Sequence, residues 1–388
     1  MTRANTKQSG QPTPPLGRCG IVIRRSAADN LGAVRLSVLS RLDAQELAPC
    51  VRSTEHTDAD GSFFAFGVDA RQATAWAPGH DTLSLCQRLG LDTEHRPADL
   101  TREILLTLLM GPVAHEFPSI DELVSAVGIR RAIVHAARRT TLAFHTSQAE
   151  RPEDCWVYKE DCGFVILPGV SLISALEKAT QPGVSGTLYS FSCYRATEYV
   201  MLLGIAKELA SSNPLLLAQL QQLWMDRPIK SGQFHDVFLR EQGSMGAPLP
   251  ARYFVPGDRI WFRNPDAASA EASGYEGSWV IYLGAGLFSN FWKPDEPYTL
   301  TAKCLEIYQW RHALYLDAEG QERIDEAAVE ARVAAVQHDA AEVERILTLM
   351  QRYRDPRGVY DNGGCMDTTR EFARWVRPAT TDMALPLP

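Results

Sequence analysis

Tyr189-Ser190-Phe191-Ser192-Cys193-Tyr194-Arg195-Ala196-Thr197-Glu198-Tyr199 runs directly into the apolar segment Val200 to Ile205. The stretch reads as the start of an apolar helix that extends to about Ser211, with Cys193 at its mouth. Unpaired backbone N–H groups and the positive end of the helix dipole favour a thiolate at that position. Cys193 is therefore the candidate nucleophile, set against the plainer reading of a buried cysteine that only packs.

Working outward, Cys155 to Lys159 and Gly163 to Pro168 read as a β-hairpin upstream of the cysteine, and Ser171 to Ala179 as a short helix. Downstream, Asn213-Pro214 opens a helix over Leu215 to Met225. Then Pro256-Gly257-Asp258 turns into a strand, Arg259 to Arg263, followed by Trp279 to Gly284 and Leu287 to Trp292. Three consecutive strands with short connections imply an antiparallel sheet, so the pattern is α+β. Farther upstream, Ser119-Ile120-Asp121-Glu122 has capping-box spacing for a helix that Gly128 is expected to break, with a second helix over Ile129 to Arg139. His135 and His145 near that helix read as solvated or core-edge side chains.

The first part, to about residue 100, mixes strand-like runs (Gly20 to Arg25, Phe63 to Val68) with helical ones (Asp81 to Gly90, Leu100 to Met110) and carries no chemical constellation. Val34 to Leu42 fits either a strand or a short helix. Residues 1–16 are polar and Pro-rich and are expected to be disordered. The tail reads as helical over Ile324 to Val336 and Ala340 to Tyr353. A glycine-rich loop follows, in which Cys365 reads as an ordinary exposed loop residue or else a second reactive thiol, then a last short helix over Thr368 to Val376. The expected organisation is thus a lead-in (1–16), an N-terminal extension (17–100), a catalytic domain (101–315) and a helical C-terminal extension (316–388).

With 45% hydrophobic and 22% charged residues in 388, the chain is that of a folded globular protein. A net charge of -8 gives no general field for nucleic acid or an anionic membrane, so neither is an expected partner. Eight cysteines without a CxxC pair or zinc-like spacing give no support for a metal site, and no organic cofactor is expected. Met1 to Gly20 is polar and Pro-rich where a secretory signal has an apolar core, so no such signal is expected there, and no run approaches the ~18 apolar residues of a span. The expected compartment is the cytoplasm, with signal-independent export left open.

The order of cysteine helix, Pro-Gly-Asp strand, strand and strand resembles the papain-like fold of the NlpC-type peptidases. More closely, the chain is similar to the Bacillus spore-type protein-glutamine γ-glutamyltransferases (transglutaminases) over about residues 100–315. The residues that carry the similarity are Phe191-x-Cys193, Gly257-Asp258-x-x-x-Phe262-Arg263-Asn264-Pro265, Gly277-x-x-Val280-Ile281-x-Leu283-Gly284 and Ser119-Ile120-x-Glu122-Leu123. The resemblance implies a cysteine thiolate that attacks a glutamine amide, releases ammonia and passes the acyl group to an amine. The partners it implies are a protein or peptide glutamine donor and an amine acceptor.

The chain departs from that pattern at three positions. The glutamate before the nucleophile is here Ser192, the proton-handling glutamate of the strand is Ser278, and the histidine of the next strand falls on or beside Asn290. Glu276, two residues before Ser278, points to the same strand face and reaches the site if Gly277 forms a bulge. Glu276 is thus the expected proton acceptor and Asn290 the expected orienting or oxyanion residue, or else a turn residue. Should Glu276 not serve, His235, His312 and Glu198 are the next candidates. Trp261, Phe262, Trp279, Tyr282, Phe288, Phe291 and Trp292 offer either a water-excluding cover or plain sheet core. Two rival readings keep the fold: a glutamine deamidase or amidase using the same cysteine, and a binding module whose chemistry has lapsed.

Overall fold

A computed structural model describes residues 19–24, 31–143, 149–354 and 363–386. The expected disordered lead-in, His145 and part of the glycine-rich loop before Cys365 lie outside the described residues. Two sheets organise the α+β fold. The first is a sheet in the order β2-β3-β1-β4, made of β1 (Ile21–Arg24), β2 (Val51–Asp58), β3 (Gly61–Val68) and β4 (His115–Phe117). The hairpin β5 (Trp156–Lys159) and β6 (Gly163–Ile166) stands apart, as the sequence predicts.

The second sheet is larger. It contains β7 (Leu239–Gln242), β8 (Arg259–Arg263), β9 (Gly277–Gly284), β10 (Leu287–Phe288) and β11 (Tyr298–Thr299). After the small hairpin of β12 (Leu314–Leu316) and β13 (Glu322–Ile324), the chain adds β14 (Arg370–Ala373) to this same sheet, whose order is β11-β10-β9-β8-β14-β7. The predicted antiparallel run β8-β9-β10 is present. Where a helix is expected over Thr368 to Val376, Arg370–Ala373 forms this inserted strand, because so short a run does not distinguish the two periods. The tail therefore supplies two helices, Glu326–Val336 and Ala340–Met350, and also an interior strand of the main sheet.

The helix Cys193–Ser212 is buried on nearly every side from Ala196 to Ala206, so it forms the centre of its core cluster and is not a surface helix. It crosses the helix Ile120–Arg139, which begins as the capping-box spacing predicts, with Ser119 Oγ accepting from the Glu122 N–H at 3.2 Å. Gly128 does not break that helix. It and Gly204 mark the crossing, because a Cβ on Gly204 would lie 2.4 Å from Ile133 Cγ1 and one on Gly128 2.6 Å from Glu208 Oε2. At Gly204 the missing side chain lets the backbone of Ile129 and Ile133 approach, and at Gly128 it admits the Glu208 carboxylate, which fixes the height and direction of the Cys193 helix. Val34 to Leu42 falls within a helix, Leu31–Asp43.

The Pro256-Gly257-Asp258 turn is as predicted. Asp258 accepts from its own Val255 N–H at 2.7 Å and from the buried Arg130 at 2.7 Å, which ties the entry of β8 to the Ser119-capped helix. Among the described residues no helix is long and apolar enough to cross a membrane, and no group of three or more His, Cys, Asp or Glu side chains could hold a metal ion.

Candidate active site

Ser192 is the N-cap of the cysteine helix: it is extended, and its hydroxyl accepts from the Arg195 N–H at 3.3 Å. That places Cys193 at the first helical position, half-buried at the surface of the core. Opposite it, β9 has an open stretch. The last ladder contacts toward β10 are Phe288 against Tyr282 and the reciprocal bonds between Ile281 and Ser289. Beyond them the Trp279 N–H faces away from β8, and it and the Tyr194 N–H both favour the charged form of the Cys193 sulfur.

Cations complete the surroundings of the sulfur: Lys303 and Arg259 both act on it. Lys303 is 1% exposed on the helix Leu300–Trp310, held 2.9 Å from Glu306, with its ammonium 3.3 Å from the centre of the Tyr298 ring. Arg259 lies over Trp279 at 3.8 Å and over Tyr194 at 4.6 Å. Burial nevertheless dominates and raises the Cys193 thiol above its ordinary value, with the two N–H donors and the two cations opposing it. The thiol lowered by a helix terminus, expected from the sequence, is thereby corrected: desolvation outweighs the backbone N–H groups and the cations around the sulfur.

Arg259 is the hub of a buried polar chain. Its Nε donates to Thr197 Oγ1 at 2.8 Å, its Nη1 pairs with Glu371 of β14, and Glu371 accepts from His235 at 3.1 Å. Burial pushes the Glu371 carboxyl up, but the hydrogen bond from His235 and the charge of Arg259 prevail and hold it low. The same hydrogen bond raises His235. Glu198, fully buried, pairs with Arg195 at 2.8 Å and accepts from Ser231 at 3.1 Å, while burial raises its carboxyl. Two of the reserve candidates are thus held in ion pairs: Glu198, buried on the cysteine helix, with Arg195, and the partly exposed His235 with Glu371. His312 is not, and stacks edge-on against Tyr308.

The expected proton acceptor is not delivered. The β8–β9 register runs unbroken from Arg259 opposite Ile281 to Arg263 opposite Gly277, so Gly277 forms no bulge. Glu276 stays exposed in the turn before β9, its carbonyl accepting from the Asn264 N–H. Asn290 is the turn residue of the two alternatives: its amide donates to the Glu296 carbonyl at 3.0 Å and its oxygen accepts from the N–H groups of Trp292 and Lys293. These bonds hold Asn290 to its own connection, 290–296. Of the aromatic residues, Phe262, Tyr282, Phe288 and Phe291 are sheet core, whereas Trp261 and Trp279 stack 5.8 Å apart beside the cysteine, with Tyr194 edge-on.

Sequence reasoning missed Lys303, Arg259 and Glu371. Lys303 had one signal, a lysine set in the apolar stripe of Leu300, Cys304 and Ile307. Arg259 had another, a charge directly before the apolar run Ile260 to Phe262 of an interior strand; Glu371 had none. Arg259→Ala is expected to destabilise the protein by about 3 kcal/mol, since it removes the buried cation of the pair and leaves the Glu371 carboxylate with the partly exposed His235 alone. Urea denaturation measures this, and a loss below about 1 kcal/mol would contradict a buried pair.

A family model described as protein-glutamine gamma-glutamyltransferase matches residues 84–384. Among solved structures, a transglutaminase from Geobacillus stearothermophilus (without C-terminal extension) aligns at 18% identity with a TM-score of 0.38, covering 55% of this chain and 98% of that one. No curated protein matches the chain.

Proposed function

Because this chain belongs to the protein-glutamine γ-glutamyltransferase family, whose members are enzymes, we propose that Cys193 is its nucleophile in transfer of a glutamine acyl group to an amine. The reading rests on one observation above all, the Cys193 sulfur at the first position of a central helix, facing the open edge of β9 and two backbone N–H donors. The thiolate form attacks the glutamine carboxamide carbon, ammonia departs with a proton, and the thioester is resolved by an amine. Lys303 and Arg259 stabilise the thiolate against its burial. The papain-like arrangement is part of the same proposal, supported by an apolar cysteine-bearing helix against an antiparallel sheet.

Water competes with the amine at ~55 M, so transfer prevails only where the amine is positioned and water excluded, with effective molarities on the order of 10⁵ M. Trp261, Trp279 and Tyr194 are the groups beside the sulfur able to provide that exclusion. The test is incubation with a glutamine peptide, with and without cadaverine, followed by mass. Amine addition with loss of ammonia is the expected result, and a gain of about one mass unit in both tubes, amide to acid, indicates the deamidase instead.

A second reading has its own support. The groups acting most strongly on the sulfur are N–H donors and cations, and Glu276 and Asn290 are otherwise placed, which suits a module that binds its partner without turnover. Absence of any Cys193-dependent mass change over a broad peptide panel selects it.

A further inference from the structure

The sequence treats Cys365 as an exposed loop residue, yet it is fully buried, and its Sγ lies 3.7 Å from the Sγ of the equally buried Cys304. Cys365 donates its S–H to the Met350 carbonyl at 3.0 Å, so Cys304 is left as the donor between the two sulfurs. The loop around Cys365 is held on both sides: the Arg263 N–H of β8 donates to the Cys365 carbonyl, and the Cys365 N–H to that of Met350. Cys304 sits on the helix Leu300–Trp310, against Leu300, Phe262, Ile346 and Met350 in one apolar cluster.

We propose that Cys304 and Cys365 are a covalent crosslink site that closes to a disulfide under oxidising conditions. Closure needs the sulfurs to approach by roughly 1.7 Å, to the ~2.05 Å of an S–S bond. With a low-molecular-weight disulfide such as glutathione disulfide as oxidant, one cysteine thiolate displaces a glutathione thiolate to give a mixed disulfide. The second cysteine thiolate then displaces the other. Two cysteine thiols are oxidised, one glutathione disulfide is reduced to two glutathione thiols, and the two protons end on them. The hydrogen bond with Cys304 and burial push the Cys365 thiol up, so closure accelerates as pH rises.

The position gives the crosslink a consequence. Cys304 directly follows Lys303, which acts on the Cys193 sulfur, and Cys365 lies a few residues before Glu371, the partner of Arg259. The bond joins the two segments that place these charges and closes a loop over the tail helices. By reducing the freedom of the unfolded chain it raises the melting temperature by several degrees, on the order of 10 °C. This inference does not depend on the acyl-transfer reading.

The full-length reduced protein is incubated with glutathione disulfide at pH 8, and in a parallel arm is refolded from denaturant in a glutathione redox buffer, where access is unrestricted. Remaining thiols are then alkylated in denaturant and the protein is digested without reductant. The expected result is a mass lower by ~2 units before alkylation, one linked peptide pair containing Cys304 and Cys365, and a dithiothreitol-reversible rise in melting temperature that Cys365→Ala abolishes. Alkylation at both Cys304 and Cys365 in the refolded arm, glutathione retained on either, or links that run through other cysteines would overturn it. A link without any rise in melting temperature would overturn the stabilising consequence.

Discussion

Cys193→Ala is expected to lower amine incorporation by roughly 10⁴-fold or more, the scale on which removing a covalent nucleophile acts. The fold should survive the change. Ser192 remains to cap the helix, alanine is the best helix former, and the cysteine is only half-buried, so circular dichroism and melting should stay near those of the unchanged protein. The same thiol carries a pH signature. Burial raises it above its ordinary value, so at neutral pH most of it is protonated, and both kcat/KM and the rate of iodoacetamide labelling at Cys193 should climb about tenfold per pH unit until the thiol titrates. Labelling faster at pH 7 than that of the half-buried Cys162, or a rate flat with pH, would show that the cations Lys303 and Arg259 win over desolvation after all. Full activity in Cys193→Ala would remove the nucleophile assignment outright.

The second large effect is on stability in acid, and it belongs to His115 of β4. Its ring is buried, and its Nε2–H donates at 2.9 Å to the Tyr253 hydroxyl, which in turn donates to the Thr107 carbonyl at 3.0 Å. Burial, aided by the nearby charge of Arg130, pushes its pKa down to about 3. The unfolded histidine titrates near ~6.5. Between these values the unfolded chain binds the proton and the folded protein does not, so stability is full above pH ~6.5 and declines as pH falls toward ~3. The loss amounts to about 2 kcal/mol at pH 5 and on the order of 5 kcal/mol near pH 3. His115→Gln keeps an N–H donor and cannot titrate. Urea denaturation at pH 7.5 and pH 5 should show a drop in stability for the unchanged protein that shrinks by about 2 kcal/mol in the variant. Equal drops in both proteins would mean that His115 is reached by protons in the folded state.

What the sequence determined by itself was local. The cysteine-bearing helix from Cys193 to Ser212, the Ser119 cap, the Pro256-Gly257-Asp258 turn, the β5–β6 hairpin and the run of three antiparallel strands all follow from periodicity, caps and turn residues, which are properties of a few neighbouring positions. The motifs around Cys193, Gly257-Asp258 and Val280-Ile281 also sufficed for the family. What only the tertiary structure decided was who meets whom across long separations. Whether Gly128 breaks a helix depends on the other helix that crosses it. Thr368 to Val376 is too short a run for its period to be read, and it becomes a strand because β7 and β8 leave a gap that its backbone N–H and C=O groups fill. That insertion brings Glu371 to Arg259, and the return of the chain through Leu300–Trp310 brings Lys303 and Cys304 inside. The charges around the sulfur therefore come from positions 259 and 303, with Glu371 behind them, and no local pattern near Cys193 encodes them. The desolvation that raises the thiol likewise exists only once these layers close over it.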